Sequence, residues 1–264
     1  MSNTQPIGIF DSGVGGLSVL QHIRQLLPHE DILYIADSAY APYGCKDESY
    51  VELRSKIITE HLLAQGAKTI VIACNTATAS IIEKFRKKYG IPFIGVEPGI
   101  KPAIAVTQNG HIGIMATSNT LSSPRYNELS QRFANQVHLH PQACPGLADQ
   151  VEAGLLNDPK TFQLLRYYLD NLKQKKVDTL VLGCTHYSFL STQIKQLSVQ
   201  SMHIIDTSSA IAEQLLRVLS DKHLNHHNMN QYKGSVQYFT TGSVSKMQAT
   251  LELLVAPHLK VQAI

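Results

Sequence analysis

Short runs rich in isoleucine and valine alternate along this chain with longer segments whose apolar residues recur about every three to four positions. The runs Ile7 to Phe10, Ile32 to Ala36, Thr69 to Ala73, Phe93 to Val96, Ile112 to Ala116, Val137 to His140, Thr179 to Gly183 and His203 to Asp206 read as strands. Between them, Leu17 to Leu27, Tyr50 to Gln65, Ala77 to Tyr89, Ser122 to Ala134, Pro159 to Lys175 and Ser208 to Ser220 read as helices. Repeated strand, helix, strand defines an α/β protein with mostly parallel sheets, in which ligands sit outside the carboxyl ends of the strands.

An internal echo divides the pattern in two. Thr69-Ile-Val-Ile-Ala-Cys-Asn-Thr-Ala and Thr179-Leu-Val-Leu-Gly-Cys-Thr-His-Tyr share a threonine, four apolar or small residues, a cysteine and then polar residues. Their cysteines, Cys74 and Cys184, lie one small α/β domain apart. The expectation is two similar parallel-sheet α/β domains related by pseudo-symmetry. Crossings near Pro98 and near Asp206 make the first domain discontinuous, residues 1–98 and 209–264, and leave 99–208 to the second.

Charge and composition exclude several functions. Twenty-three Lys and Arg against 20 Asp and Glu give a net charge of +3, too mild and too scattered for a dedicated nucleic-acid binder. The basic runs at Lys84 to Lys88 and Lys173 to Lys176 follow helical segments, where a helix C-terminus favours cations. No stretch approaches the ~18–20 apolar residues of a membrane span, and residues 1–6 do not read as a signal peptide. A cytoplasmic protein without membrane attachment is expected. Four cysteines, Cys45, Cys74, Cys144 and Cys184, form no CxxC pair, so free thiols are expected rather than a zinc site or a disulfide framework. His223, His226 and His227 stand in an Asn-rich stretch with no acidic or cysteine partner nearby and read as a surface loop; no metal is expected.

Asp11-Ser-Gly-Val-Gly-Gly-Leu-Ser follows a strand and opens a helix, which suits either a plain capped turn or a loop that offers backbone N–H groups to an anion. It lacks the lysine of a P-loop and the third glycine of a dinucleotide motif. Each echoed cysteine falls where a strand ends and a helix begins, a place where the helix dipole lowers a thiol pKa. The residues after them, Asn75 and Thr76 in one case and Thr185 and His186 in the other, suit a carboxylate better than a core. Two thiols on either side of a shared cleft fit proton removal on one face of a carbon and delivery on the other, that is, inversion at a stereocentre. A cysteine hydrolase built on Cys184 and His186 leaves Cys74 without a role, and adjacency in sequence does not make those two a dyad. A non-enzymatic amino-acid-binding protein is the third reading. Ala41-Pro-Tyr-Gly reads alone as a turn, and Glu152, on a short helical pattern from Leu147 to Leu156, as a solvent-facing residue by default.

Taken in order and spacing, Phe10-Asp-Ser-Gly-Val-Gly-Gly, Pro42-Tyr-Gly, Ala73-Cys-Asn-Thr-Ala and Gly183-Cys-Thr-His-Tyr resemble the glutamate racemase branch of the aspartate/glutamate racemase family. The resemblance runs from about Ile7 to Ile205-Asp-Thr-Ser. It implies a cofactor-independent isomerase that interconverts L- and D-glutamate and supplies D-glutamate for peptidoglycan and so for cell shape. Cys74 and Cys184 become the two acid/base residues, with Asp11 assisting the first and Glu152 and His186 beside the second. Asp11, Ser12, Tyr43, Gly44, Asn75, Thr76, Thr185 and His186 fall on substrate-contacting positions, which Thr117 joins. The resemblance also implies an active site between the two α/β domains and a homodimer; closure of the domains over glutamate, about a hinge near Pro98 and Asp206, is expected because it would expel water. Aspartate is the alternative substrate. Cys144-Pro-Gly-Leu departs from the family pattern, where a bulkier apolar residue often follows the proline, which bears on the position of Glu152. Cys45 is expected to be incidental.

Overall fold

The computed structural model describes residues 4–198, 202–226, 233–256 and 259–264. Among the described residues, ten strands form two separate parallel sheets. They are β1 (Ile7–Asp11), β2 (Ile32–Ala36), β3 (Thr69–Ile72), β4 (Phe93–Gly95), β5 (His111–Ala116), β6 (His138–Ala143), β7 (Thr179–Gly183), β8 (His203–Ile205), β9 (Val236–Thr240) and β10 (Val261–Ala263). The first sheet runs β10-β9-β2-β1-β3-β4 and the second β6-β5-β7-β8. The order β2-β1-β3-β4 of one is therefore the order β6-β5-β7-β8 of the other, the expected pseudo-symmetry in topological form. In each sheet the chain steps first to one side of its opening strand and then to the other. The two crevices where ligands gather in such sheets thus lie between β1 and β3 and between β5 and β7. Asp11 and Cys74 flank the first crevice; Thr117 and Cys184 flank the second.

Continuous apolar runs became strands because helices cover both faces of these sheets. Every residue of β1, β2, β3 and β7 is buried. The helices are α1 (Leu17–Leu26), α2 (Glu48–Ala64), α3 (Asn75–Lys88), α4 (Ile100–Val106), α5 (Ser118–Ser122), α6 (Pro124–Phe133), α7 (Leu147–Glu152), α8 (Pro159–Lys173), α9 (Ser191–Leu197), α10 (Ser208–Asp221) and α11 (Val244–Leu254). In α1, Leu17, Val19, Leu20 and Ile23 are buried, and the helix lies against α10.

Three expectations are corrected. The helix expected over Ser122 to Ala134 is α6 and starts only at Pro124, after the separate short helix α5, because Pro124 disfavours helical backbone at Ser123. Ser123 is extended (φ −67°, ψ 146°), and its side chain caps α6 by accepting from Tyr126 N. The strand expected to stop at His140 runs to Ala143, since Pro141 is tolerated on the half-exposed edge strand β6. The histidine stretch is not wholly a surface loop: His226 is buried, and its backbone N–H donates to Glu30 Oε1 at 2.9 Å. His223 is exposed, and His227 lies outside the described residues. The cysteines are free as expected, with Cys45 exposed and the other three buried.

Candidate active site

Strand β1 delivers Asp11 fully buried at its carboxyl end, with the turn Ser12 to Gly16 leading into α1. Gly16 N donates to Asp11 Oδ2 at 2.8 Å, while Oδ1 is buried without a hydrogen-bond partner. Burial raises the Asp11 carboxyl above its ordinary pKa; His186 pulls it down and Glu152 pushes it further up.

Cys74 ends the β3 segment and caps α3, its Sγ accepting from Ala77 N at 3.5 Å and lying 3.9 Å from Ser12 Oγ. The helix-dipole expectation is corrected here. Burial pushes this thiol well above its ordinary pKa, and the charges of Asp11 and Cys184 add to the rise, while the Ala77 N–H opposes it. One helix N-terminus does not offset near-complete removal from water.

Cys184 follows β7 and opens a 3₁₀ segment, Thr185–Leu190, rather than an α-helix. Its Sγ lies 3.7 Å from His186 Nδ1, a contact that adjacency in sequence alone did not establish. His186 Nε2 lies 2.5 Å from Glu152 Oε1, and that oxygen also accepts from Val14 N at 2.7 Å. Glu152 is therefore turned inward from α7. Burial opposes a charge on His186, yet its contacts with Cys184 and Glu152 outweigh it and raise the imidazole well above its ordinary pKa.

The glycines of the first turn acquire a specific reason. A Cβ on Gly13 would stand 1.8 Å from Glu152 Oε1, and one on Gly15 would stand 2.3 Å from His186 Nδ1. Their lack of side chains lets the first half of the chain approach the imidazole–carboxylate pair of the second.

The remaining predicted residues line the same strand ends. Tyr43 is buried, and its hydroxyl donates to Asp37 Oδ2 at 2.5 Å. Burial and Asp37 raise that phenol far above its usual range. Gly44 abuts Thr117, whose Oγ1 lies 2.9 Å from Thr76 Oγ1. Thr185 is buried, and its carbonyl accepts from Ser18 Oγ at 3.3 Å. Asn75 is 3% exposed, and neither its Oδ1 nor its Nδ2 has a partner. A buried amide with an open donor and an open acceptor is suited to a small zwitterion. It borders a cavity of about 220 Å³ that Thr120 also lines. A second groove, about 1390 Å³, runs along β4 beside Arg86, Lys101 and Arg132 and meets none of the predicted site residues.

Sequence reasoning missed Asp37, Asn119 and Thr120. Asp37 accepts from Tyr43, from Arg54 (Nε 3.0 Å, Nη2 2.8 Å) and from Thr241 (2.9 Å). The available signal was its place directly after β2, one residue past Ala36, the register partner of Asp11. Among the described residues no group of three or more His, Cys, Asp and Glu could hold a metal ion, and no helix is long and apolar enough to cross a membrane.

Two parallel α/β sheets thus each carry a buried thiol at a strand end, Cys74 and Cys184. The chain belongs to the Asp/Glu/Hydantoin racemase family, whose pattern it matches over residues 7–215. It is 47% identical over 257 residues, 97% of both chains, to the glutamate racemase of Ectopseudomonas mendocina (strain ymp). The structure matches that of Bacillus anthracis glutamate racemase isoform RacE1 with a TM-score of 0.90 at 34% identity, covering 99% of this chain and 98% of that one. It matches Escherichia coli glutamate racemase, solved with L-glutamate and the activator UDP-MurNAc-Ala, with a TM-score of 0.84 at 30% identity, covering 98% of each.

Proposed function

We propose that this protein interconverts L- and D-glutamate without a bound cofactor, moving the α-proton between Cys74 and Cys184. The observation that carries the reading is the pairing of each buried thiol with its own carboxylate. Asp11 stands beside Cys74, and Glu152 reaches Cys184 through His186. From D-glutamate, the Cys74 thiolate takes the α-proton and the Cys184 thiol returns one to the opposite face. From L-glutamate the roles exchange. Each turnover leaves the proton on the opposite sulfur, and proton exchange through Asp11 or His186 resets the pair.

Glutamate is held by the main chain of Tyr43 and Gly44 and by Ser12, Asn75, Thr76, Thr117 and Thr185, with Asp11 and His186 at the reacting centre. The α-carbanion needs preorganised donors in a water-poor cleft. Backbone N–H groups following Asp11, Cys74 and Cys184 supply them. We assign residues 1–98 and 209–264 to one domain and 99–208 to the other, hinged near Pro98 and Asp206. The product D-glutamate serves peptidoglycan synthesis, and the protein works as a cytoplasmic homodimer.

The Cys184–His186–Glu152 chain also favours a second reading, thiol hydrolysis, because it orders a nucleophile, a base and a carboxylate. Proton NMR with L-glutamate in D₂O, followed by chiral analysis, tests the first. Loss of the α-proton signal with appearance of D-glutamate is expected, and its loss of rate in both Cys74→Ser and Cys184→Ser. A protein inert toward both enantiomers of glutamate and aspartate overturns the racemase reading, and hydrolysis that survives Cys74→Ser installs the other.

A further inference from the structure

The half of the chain that carries the second sheet grips the Pro42-Tyr43-Gly44 turn through one amide. Asn119, half-buried in α5, donates through Nδ2 to the carbonyl of Tyr43 at 3.2 Å and to that of Lys46 at 2.5 Å. These two carbonyls belong to the 3₁₀ turn Tyr43–Cys45 and its C-cap. Gly44, between them, abuts the Thr117 side chain so closely that a Cβ would lie 2.7 Å from Thr117 Cβ. Beside this contact three hydroxyls join the halves. Thr117 Oγ1 lies 2.9 Å from both Thr76 Oγ1 and Thr120 Oγ1, and the last two are 3.4 Å apart.

Every one of these bonds is neutral. A neutral hydrogen bond exchanges readily with water at a net value of about 0.5–1.5 kcal/mol. Such bonds suit a contact that has to form and break repeatedly, whereas an apolar seam suits a permanent one. The turn that Asn119 holds presents the main chain of Tyr43 and Gly44 to the cleft. Tyr43 cannot replace that grip with its hydroxyl, which Asp37 already engages.

We propose that Asn119 is a cross-cleft latch, a positioning residue that fastens the Tyr43–Lys46 turn of one half to α5 of the other and so sets affinity for the amino-acid substrate. The kinetic part rests on the racemase reading. The structural part does not.

Hydrogen–deuterium exchange of the ligand-free protein tests the latch itself. In Asn119→Ala, amides of residues 43–46 should exchange about ten-fold faster than in the wild type, as loss of two such bonds implies. Steady-state kinetics test its role: KM for both enantiomers should rise about ten-fold while kcat stays within about two-fold. Asn119→Asp supplies a second readout. Ionised, its oxygens face two carbonyl oxygens, so at pH 8 its KM relative to wild type should exceed that of Asn119→Ala. Exchange equal to wild type in Asn119→Ala, or a loss confined to kcat, overturns the latch. A wild-type protein that does not racemise glutamate overturns the function proposed above, and the exchange result then still decides the latch.

Discussion

Glu152 Oε1 lies 2.5 Å from His186 Nε2, and the same oxygen accepts a hydrogen bond from Val14 N. One carboxylate atom thus ties the imidazole beside Cys184 to the glycine turn that follows Asp11. Because Glu152 is one of the groups that raise the His186 pKa, Glu152→Gln should lower it. His186 then gives up its proton at lower pH, and the basic limb of any activity that needs the imidazolium shifts to lower pH. The loss in kcat/KM should be about 10²-fold, the lower end for a general acid–base group. L- and D-glutamate have equal free energies, so the loss must be the same in both directions. A pH–rate profile unchanged from wild type would remove His186 from the proton path.

Asp11→Asn should stabilise the protein and disable it. Burial raises the Asp11 carboxyl, so the folded state binds that proton more tightly than the unfolded state does. A raised carboxyl therefore costs stability once pH exceeds the ordinary value of 3.8, and the full cost is present above the folded pKa. Asparagine removes the ionisation and can still accept from Gly16 N. Melting at pH 7.5 should rise, at about 2–4 °C per kcal/mol recovered for a chain of this size, while kcat/KM falls. Thermal melts at pH 4 and pH 7.5 check the sign, since the gain should shrink at the lower pH.

The first eight strands and six of the longer helices were legible because continuous Ile/Val runs and 3.6-periodic stripes reflect sheets buried on both faces. Strands β9 and β10 and helix α11 were not. They add to the edge of the first sheet, where a partly exposed run such as Val236-Gln-Tyr-Phe-Thr loses the apolar signature. In the site, the cysteines and the residues after them were marked by their place at strand ends. The inward turn of Glu152 came from the family resemblance and not from its own helical pattern, because it depends on Gly13 making room from 139 positions away in sequence. The rise in the Cys74 pKa was equally hidden: helix position can be read from sequence, but the depth of burial that outweighs it cannot.

Glu30 and Lys68 form a buried ion pair at 2.5 Å with side chains 4% and 0% exposed. Glu30 also accepts from the backbone of His226, so it fastens the segment after α10 to the first sheet. Glu30→Ala should cost about 3–5 kcal/mol, the range for breaking a buried pair by removing one partner. Chemical denaturation measures it. Because no predicted site residue touches the pair, kcat at low temperature should hold, and a stability change below about 1 kcal/mol would mean that water reaches the lysine.

Gly13→Ala separates a requirement of the fold from a requirement of the chemistry. The added Cβ would stand 1.8 Å from Glu152 Oε1, the far end of a flexible side chain. The backbone can stay where it is if the carboxylate moves, and the carboxylate then leaves both His186 and Val14. The substitution should therefore reproduce Glu152→Gln, with a similar fall in kcat/KM and a similar shift of the pH profile, at a stability cost of about 1–3 kcal/mol, as for other overpacked sites. Combining Gly13→Ala with Glu152→Gln should add little further loss of activity, because both remove the same contact. Multiplicative losses in the double variant would instead mean that Gly13 serves the substrate directly, through the turn it shares with Ser12.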